Sequence, residues 1–382
     1  MAVRARPDAT AVVDPPNRTT LIGGTPLRLS YAQLDRLAIG FARRLVELGF
    51  EREDVLITQL PNVAEYVAVY LAAMKLGVVL SPAPMQFRRR ELAQILQLTG
   101  ARGLLTVPRL RNSDPCIEAR AAVADGAAML LCLGSEAPAG TVAIDPVLAL
   151  HEDPRGNAAA IPVAQISADD VVTICWTSGT EGAPKGVPRT HNQWLAISHA
   201  HFEGAGIREG DVLLNPFPLI NMAAIGGCFL SWLRAAGTLV LHHPLELPVY
   251  LAQIATERPH YAIAPPAVLN MLLQDERLLS ATDLSSLRCI GSGSAPLDPA
   301  MIRSFRDRFG IEIVNMFGSN EGMSLVSSAI EAPEPERRAR FFPRFGRPEV
   351  GWSQRVANAI ETRIVDPETA AEILIAGNPG EM

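Results

Sequence analysis

An apolar run of strand length, Val171 to Trp176, is followed without a gap by Thr177-Ser-Gly-Thr-Glu-Gly-Ala-Pro-Lys-Gly186. Such a run fits a strand buried on both faces, which calls for a sheet covered by helices on each side. The segment after it places three hydroxyls, three glycines and one lysine within ten residues. Glycines let backbone N–H groups approach an anion, and hydroxyls and an ammonium add further donors. Thr177, Ser178, Gly179, Thr180, Gly182 and Lys185 therefore read as a cradle for phosphate. This is not the Walker loop, because Pro184 precedes Lys185 and neither Ser nor Thr follows it. The plain alternative is a surface turn.

The strand-then-loop pattern returns. Leu287 to Ile290 opens into Gly291-Ser-Gly-Ser-Ala-Pro-Leu297, and a helix follows with Asp298 as cap, Pro299 as first residue, Ile302, Phe305 and Phe309 as buried stripe and Gly310 at its end. Ile311 to Met316 is the next strand, ending in Phe317-Gly-Ser-Asn-Glu-Gly322. Loops released at the carboxyl ends of neighbouring parallel strands are where open α/β sheets bind ligands.

Earlier in the chain, Ser30 and Gln33 form a capping box ahead of Leu34, Leu37, Ala38, Phe41, Ala42, Leu45 and Leu48 at helical spacing. Val55 to Leu60 reads as a strand, Asn62 and Glu65 as caps of a second helix that Gly77 ends, and Val78 to Leu80 as a further strand. Strand-helix-strand units imply a parallel sheet with helices over its faces, hence an α/β protein. From Gly134 to Asp170 the chain turns rich in Ala, Gly, Pro and Asp. A lobe boundary falls there, with 1–160 as a first α/β lobe, 161–330 as a second α/β lobe carrying the cradle, and 331–382 as a β-rich segment.

Composition narrows the function classes. The 382 residues, 48% apolar and 19% charged, suit a soluble globular protein, and a net charge of −6 without any acidic or basic block argues against nucleic acid as a partner. The runs Arg88 to Arg90 and Arg337, Arg338 and Arg340 read as solvated faces. Five scattered cysteines in apolar contexts read as buried reduced thiols, which fits a cytoplasmic location. His199 and His201 lack further ligands at metal spacing. Val212 to Leu233 is uncharged and nearly long enough to span a bilayer, but Asn215, Pro216, Pro218 and Asn221 interrupt it, so it reads as strand, loop and buried helix. Met1 to Asp14 contains no apolar run, so no secretory signal is expected.

The ten-residue cradle resembles the signature loop of the adenylate-forming superfamily, which includes acyl-coenzyme A synthetases, aryl-acid ligases, firefly luciferase and peptide-synthetase adenylation domains. That loop reads Ser/Thr-Ser-Gly-Thr/Ser-Thr-Gly-x-Pro-Lys-Gly, and only Glu181 departs from it. Glu181 either reaches a magnesium ion or points outward, since like charges disfavour direct phosphate contact. Gly291-Ser-Gly-Ser-Ala-Pro-Leu297 is similar to the family's Gly-Gly-Ala-Pro-Leu segment, whose backbone, here at Ser294, Ala295 and Pro296, would line adenine. Asn315-Met-Phe-Gly-Ser-Asn-Glu321 resembles the Tyr-Gly-x-Thr-Glu motif. By that resemblance Asn315, Met316, Phe317 and Gly318 belong to the nucleotide site, Asn320 contacts the α-phosphate and Glu321 holds Mg²⁺. Pro218-Leu-Ile-Asn221 is similar to a Pro-Leu-Phe-His element lining the acyl pocket, with Gly291 expected beside it; Asn221 equally reads as a helix cap. Gly346-Arg347-Pro348 resembles a Val-Gly-x-Pro element.

The resemblance runs from about Asp8 onward. It implies two stacked, mostly parallel sheets with flanking helices in an αβαβα order plus a smaller β-rich lobe, the large amino-terminal domain of such enzymes. It also implies ATP, Mg²⁺ and coenzyme A as cofactors and co-substrate, a small carboxylic acid as substrate, and Lys185, Asn320 and Glu321 as catalytic residues; a homodimer stays open. The family's ribose-binding Asp and its catalytic lysine follow the point at which Met382 stands, so these residues alone are expected to bind nucleotide better than they catalyse. Three readings remain: an acid–coenzyme A ligase, an adenylation enzyme serving a carrier protein or releasing the adenylate, and a silent nucleotide- or acyl-binding protein.

Overall fold

The computed structural model describes residues 2–123, 126, 128–135, 137–145, 165–177, 184–346, 349–375 and 377–380. In chain order the strands are β1 (Thr10–Val13), β2 (Arg28–Ser30), β3 (Val55–Gln59), β4 (Val79–Pro82), β5 (Gly103–Thr106), β6 (Met129–Leu133), β7 (Val142–Ile144) and β8 (Val171–Thr177). They continue with β9 (Lys185–Thr190), β10 (Val212–Asn215), β11 (Thr238–Leu241), β12 (Tyr261–Ile263), β13 (Cys289–Gly293), β14 (Glu312–Gly318) and β15 (Ser324–Ser327). One sheet has seven strands in the order β7-β6-β5-β3-β4-β8-β9, and the other has eight in the order β15-β14-β13-β12-β10-β11-β1-β2. Pairing is parallel except at the edges, where β8–β9, β14–β15 and β1–β2 run antiparallel.

The sheets do not divide where the composition shift suggested. β1 and β2, from the first 30 residues, complete the eight-stranded sheet, while β8 and β9, beyond residue 160, complete the seven-stranded one. Strand exchange at both ends interlocks the two lobes. Residues 331–382 also differ from the expected β-rich segment. Their described part holds a helix at Pro335–Arg340, a short 3₁₀ turn at Arg355–Asn358 and one isolated bridge between Val365 and Glu372.

The helices used below are α1 (Tyr31–Glu47), α2 (Ala64–Leu76), α3 (Arg89–Thr99), α4 (His191–Gly204), α5 (Pro299–Phe309) and α6 (Pro335–Arg340). Helix α2 is apolar all round and almost wholly buried, as a helix enclosed on every side must be. It shares one core cluster with α1, α4 and inward residues of both sheets, among them Leu56, Leu80, Leu213 and Val314. The neighbours Ile57 and Leu214 point the other way, into two outer clusters beneath the flanking helices. That is the period of two expected of strands covered on both faces. The result is five layers, α-β-α-β-α. Aromatic side chains dominate the middle one: Tyr66 and Tyr70, Tyr70 and Phe229, and Phe229 and Trp232 lie 5.1, 5.1 and 5.8 Å apart between ring centroids. Burying each such ring contributes about 1.5–3 kcal/mol.

Local capping behaves as read for α1, where Ser30 and Gln33 form the capping box, and for α5, where Asp298 accepts from Ala300 N–H. At α2 it does not. Asn62 and Glu65 leave the helix end to Asp14, whose Oδ1 accepts from Ala64 N–H at 2.6 Å across fifty residues. Glu65 instead takes Arg18 in a two-pronged pair at 2.6 and 2.8 Å, and Arg18 reaches Asp14 at 2.6 Å. Asn62 donates to the carbonyls of Phe217 and His242 and accepts from Leu219 N–H, tying α2 to the segment before Asn221. A buried carboxylate with a cation and a loop to hold does more there than a cap on its own helix would.

In the same layer His201 on α4 is 1% exposed, and its Nε2 lies 2.8 Å from Ser324 Oγ at the start of β15. Burial pushes its pKa down to about 4, and burial does the same to His243.

Arg18→Met is expected to lower stability by about 3–5 kcal/mol, because it strands two buried carboxylates without their cation; chemical denaturation measures it. For the histidines, the unfolded chain takes up protons near pH 6.5 and the folded chain only near 4, so their stabilisation is full above 6.5 and lost as pH falls through 4. The thermal midpoint is expected to fall over that window, and His201→Gln, which keeps a partner for Ser324 without titrating, to flatten part of the fall. An identical pH profile in the variant would remove His201 from this account.

Candidate active site

Strands β13 and β14 run side by side, with Gly293 opposite Met316. A Cβ at Gly293 would stand 2.1 Å from the Met316 carbonyl oxygen, so only glycine permits this approach. Ser294 then turns with φ +69°, in the left-handed region, and aims the chain toward the Asp298 cap of α5. Between this turn and the end of β14 lies a cleft of about 720 Å³. Ser294, Ala295, Pro296, Asn315, Met316, Phe317 and Gly318, which the sequence assigned together, all line it. Phe317 is 48% exposed and packs against Phe342 with ring centroids 5.7 Å apart. Asn315 is buried, and its Nδ2 donates to the carbonyls of Arg338 and Ala339 at 3.0 and 3.1 Å, so its amide serves to dock α6 against the cleft.

The segment read as a phosphate cradle lies in sequence between β8 and β9, whose last pair is Thr177 with Lys185. Ser178, Gly179, Thr180 and Gly182, with Glu181, lie outside the described residues, as do Arg347 and Pro348 of the Gly346-Arg347-Pro348 segment. Across the gap stands Glu321, in the loop between β14 and β15 of the other sheet. Burial pushes the Glu321 carboxyl up, but its own backbone N–H, the Thr177 and Ser319 hydroxyls and the Lys185 ammonium outweigh this and hold it below the usual Glu range. Asn320 Nδ2 donates to Trp176 O at 3.2 Å, which leaves its second N–H and its Oδ1 for other partners.

Asn221 caps the following helical turn through Oδ1 to Ala224 N–H at 3.1 Å, so the cap reading holds for this side chain. The turn continues as a π-helical stretch, Ile225–Leu230, in which a Cβ at Gly226 would come within 2.4 Å of Ile197. Single π-turns of this kind gather at functional sites. The Met222 sulfur would stand 2.8 Å from a Cβ at Gly318, and Met316 and the Tyr261 hydroxyl crowd Gly291 in the same way. Gly291 and the segment of Asn221 thus approach β14 from two sides, through flexible methionines that can move for a ligand.

Several side chains here carried no readable signal. Arg338, taken as solvated, is 1% exposed; it donates to the Glu312 carboxylate and to the carbonyls of Ala332 and Ile313. Arg340 and Phe342 line the cleft. Arg189, on β9, is buried and bonded to the loop of Glu321. Arg189 finds its partner 131 residues away and Arg338 its carboxylate 26 residues back, so no local spacing could have flagged either. Arg88, Arg89 and Arg90 do lie exposed, beside a shallow cleft at α3 that is larger than the one at β14 but holds none of the motif residues. Among the described residues no three His, Cys, Asp or Glu side chains gather as a metal site, His199 pairs with Glu203 at 2.9 Å, and all five cysteines are free and buried. Among the described residues no helix is long and apolar enough to cross a membrane.

The profile of the AMP-binding enzyme family matches residues 1–382. Pyochelin synthase PchD of Pseudomonas aeruginosa is 28% identical over 371 residues, covering 97% of this chain and 65% of that protein. The long-chain-fatty-acid–CoA ligase FadD13 of Mycobacterium tuberculosis is 30% identical over 313 residues, covering 81% of this chain and 58% of that one. The chain thus spans less than two thirds of the length of either relative. Among solved structures, the N-terminal domain of FACL13 from Mycobacterium tuberculosis superposes with a TM-score of 0.75 at 24% identity, over 97% of this chain and 84% of that one. Two mixed, mostly parallel sheets between helices, bearing the family's motifs in order, place this chain in the AMP-binding enzyme family with the fold of the large N-terminal domain of adenylate-forming ligases.

Proposed function

We propose that this chain activates a small carboxylic acid with ATP, forming an acyl-adenylate that is passed to the thiol of coenzyme A. The observation that carries the reading is the cleft lined by both strand-end loops, with Asn320 of the adjoining loop hydrogen-bonded to Trp176 in the strand that leads into the Lys185 hairpin.

A carboxylate is a poor electrophile because its leaving group would be oxide. Attack of a carboxylate oxygen on the α-phosphorus of ATP forms the mixed anhydride and breaks the bond to the bridging oxygen, and pyrophosphate departs with that electron pair. Thiol attack then releases AMP. The work left to the protein is positioning and charge neutralisation. In this reading Lys185 and the hydroxyls and amides of residues 177–182 hold the β- and γ-phosphates. Adenine lies between Ser294-Ala-Pro296 and Phe317, beside Asn315, Met316 and Gly318. Asn320 offers its remaining N–H to the α-phosphate. The acid enters between the Asn221 segment and Gly291.

The hard carboxylate of Glu321, held ionised, fits Mg²⁺, which commonly takes one carboxylate together with phosphate oxygens. Bound there with phosphate oxygens, Mg²⁺ would neutralise charge on the departing pyrophosphate.

Coenzyme A as acceptor is supported by the CoA ligases among the relatives. The second reading, transfer to a carrier protein, is favoured by the match of pyochelin synthase, which is not named a CoA ligase, to nearly the whole chain. Pyrophosphate release with a panel of aryl, alicyclic and medium-chain acids, followed by CoA or a phosphopantetheinyl carrier as acceptor, separates the two. Absence of release with every acid, alongside tight ATP binding, would favour a silent binding protein.

Lys185→Ala is expected to weaken ATP binding about tenfold or more while AMP binding changes little, since one charged hydrogen bond to the outer phosphates contributes about 1.5–3 kcal/mol. Calorimetry with each nucleotide tests it, and equal loss for both would refute the assignment of Lys185. Glu321→Gln is expected to abolish the magnesium dependence of ATP binding and leave the thermal midpoint nearly unchanged. An unaltered magnesium response would take Glu321 out of the site.

A further inference from the structure

We propose that Arg189 is a positioning residue that aims Glu321 at the bound metal and nucleotide by locking its loop to the hairpin carrying Lys185. The proposal deepens the adenylate-forming reading above and rests on it.

Arg189 lies on β9, four residues beyond Lys185 and in the same strand. It is 4% exposed, yet its guanidinium leaves the seven-stranded sheet and reaches the loop that follows β14 in the other sheet. One terminal nitrogen, Nη2, donates to Asn320 O at 2.5 Å and also to Gly322 O. These two carbonyls flank Glu321. Holding the 320–321 peptide plane directly, and the chain again one residue beyond Glu321, restricts the direction in which the Glu321 Cα–Cβ bond leaves the chain. Asn320 adds a second tie, from its side chain to Trp176 O on β8. Both strands of the phosphate hairpin therefore grip the same turn, one through Arg189 and one through Asn320.

The choice of arginine is informative. A purely mechanical staple between carbonyls could be neutral, whereas a buried guanidinium carries a desolvation cost. Burial indeed pulls its pKa below the ordinary arginine value, and the Glu321 charge opposes that shift. Its Nε is buried with no hydrogen-bond partner, an outlay that native structures rarely leave without a use. Its bonds run to carbonyl oxygens rather than to a carboxylate. The positive charge is thus left under a turn where an anionic phosphate and a carboxylate must be brought together. It stays protonated at any working pH, so it acts as a fixed charge and a fixed fork and not as an acid or base.

The test compares wild type, Arg189→Ala, Arg189→Lys, Glu321→Gln and the double variant Arg189→Ala/Glu321→Gln as the 382-residue chain, by calorimetry with ATP over a magnesium series and with AMP alone. Outer-shell partners of a metal ligand commonly change metal affinity about 10–100-fold. Arg189→Ala is expected to raise the magnesium concentration for half-maximal ATP binding by about tenfold, with AMP affinity within about threefold of wild type. Arg189→Lys keeps the charge but not the planar fork, and is expected to fall between the two. In the Glu321→Gln background Arg189→Ala should add almost nothing, because the residue it positions no longer binds the ion. An unchanged magnesium midpoint in either Arg189 variant, equal loss for ATP and AMP, or full additivity in the double variant would overturn the proposal. If Arg189→Ala does not fold, the lysine variant decides on the same midpoint. Failure of wild type to bind ATP with magnesium would instead sink the nucleotide reading itself, before the variants are compared.

Discussion

The helical layer between the two sheets sets the geometry on which the rest depends. Tyr66, Tyr70, Phe229 and Trp232 fill it, and their rings cannot be compressed, so the sheets stand at a fixed separation with their strand ends facing one gap. The end of β8 in one sheet and the loop after β14 in the other then come within hydrogen-bond reach, Trp176 O accepting from Asn320. Strand exchange strengthens this, because β1 and β2 belong to the sheet formed by the later chain and β8 and β9 to the one formed by the earlier chain. The charged cluster of Asp14, Arg18 and Glu65 works at the same junction, joining the turn after β1 to the start of the central helix α2.

Within the gap, the site is assembled from polar contacts that cross between sheets. Asn320 meets Trp176, and Arg189 meets the carbonyls of Asn320 and Gly322 on either side of Glu321. Each joins a residue near 180 to one near 320, and each is short enough to need the sheets at their observed spacing. Steric exclusion does the complementary work. Gly293 lets β14 close on β13, and Gly318 and Gly291 leave their space to Met222 and Met316, side chains that can rearrange around a ligand.

Much of this was legible where the signal was local. Ser30 with Gln33, and Asp298 with Pro299, announce helices whose caps are satisfied within three residues, and the structure has them. The apolar run at Val171 and the strand-loop pairs at 290 and 316 mark the parallel sheets and the edge that carries the motifs. Seven residues read as nucleotide contacts from two separate motifs line one cleft. Reading failed where a side chain had a choice of partner. Asn62 and Glu65 look like a helix start, yet Asn62 is drawn to backbone groups at Phe217, Leu219 and His242 and Glu65 to Arg18, 47 residues earlier. Arg338 looks like surface charge, yet buries itself against Glu312 and three backbone carbonyls.

The chain's own order of residues determined its family, its α/β class and the motif segments, because these depend on periodicity, glycine placement and caps acting over a few residues. Tertiary structure alone decided which sheet the strands β1, β2, β8 and β9 join, that the described part of residues 331–382 is mostly irregular rather than β-rich, and that Arg189 is bonded to the loop of Glu321. Those outcomes turn on pairing and burial between residues well separated along the chain, where the cost of leaving a charge or an N–H unpaired selects the partner and no local pattern records the choice.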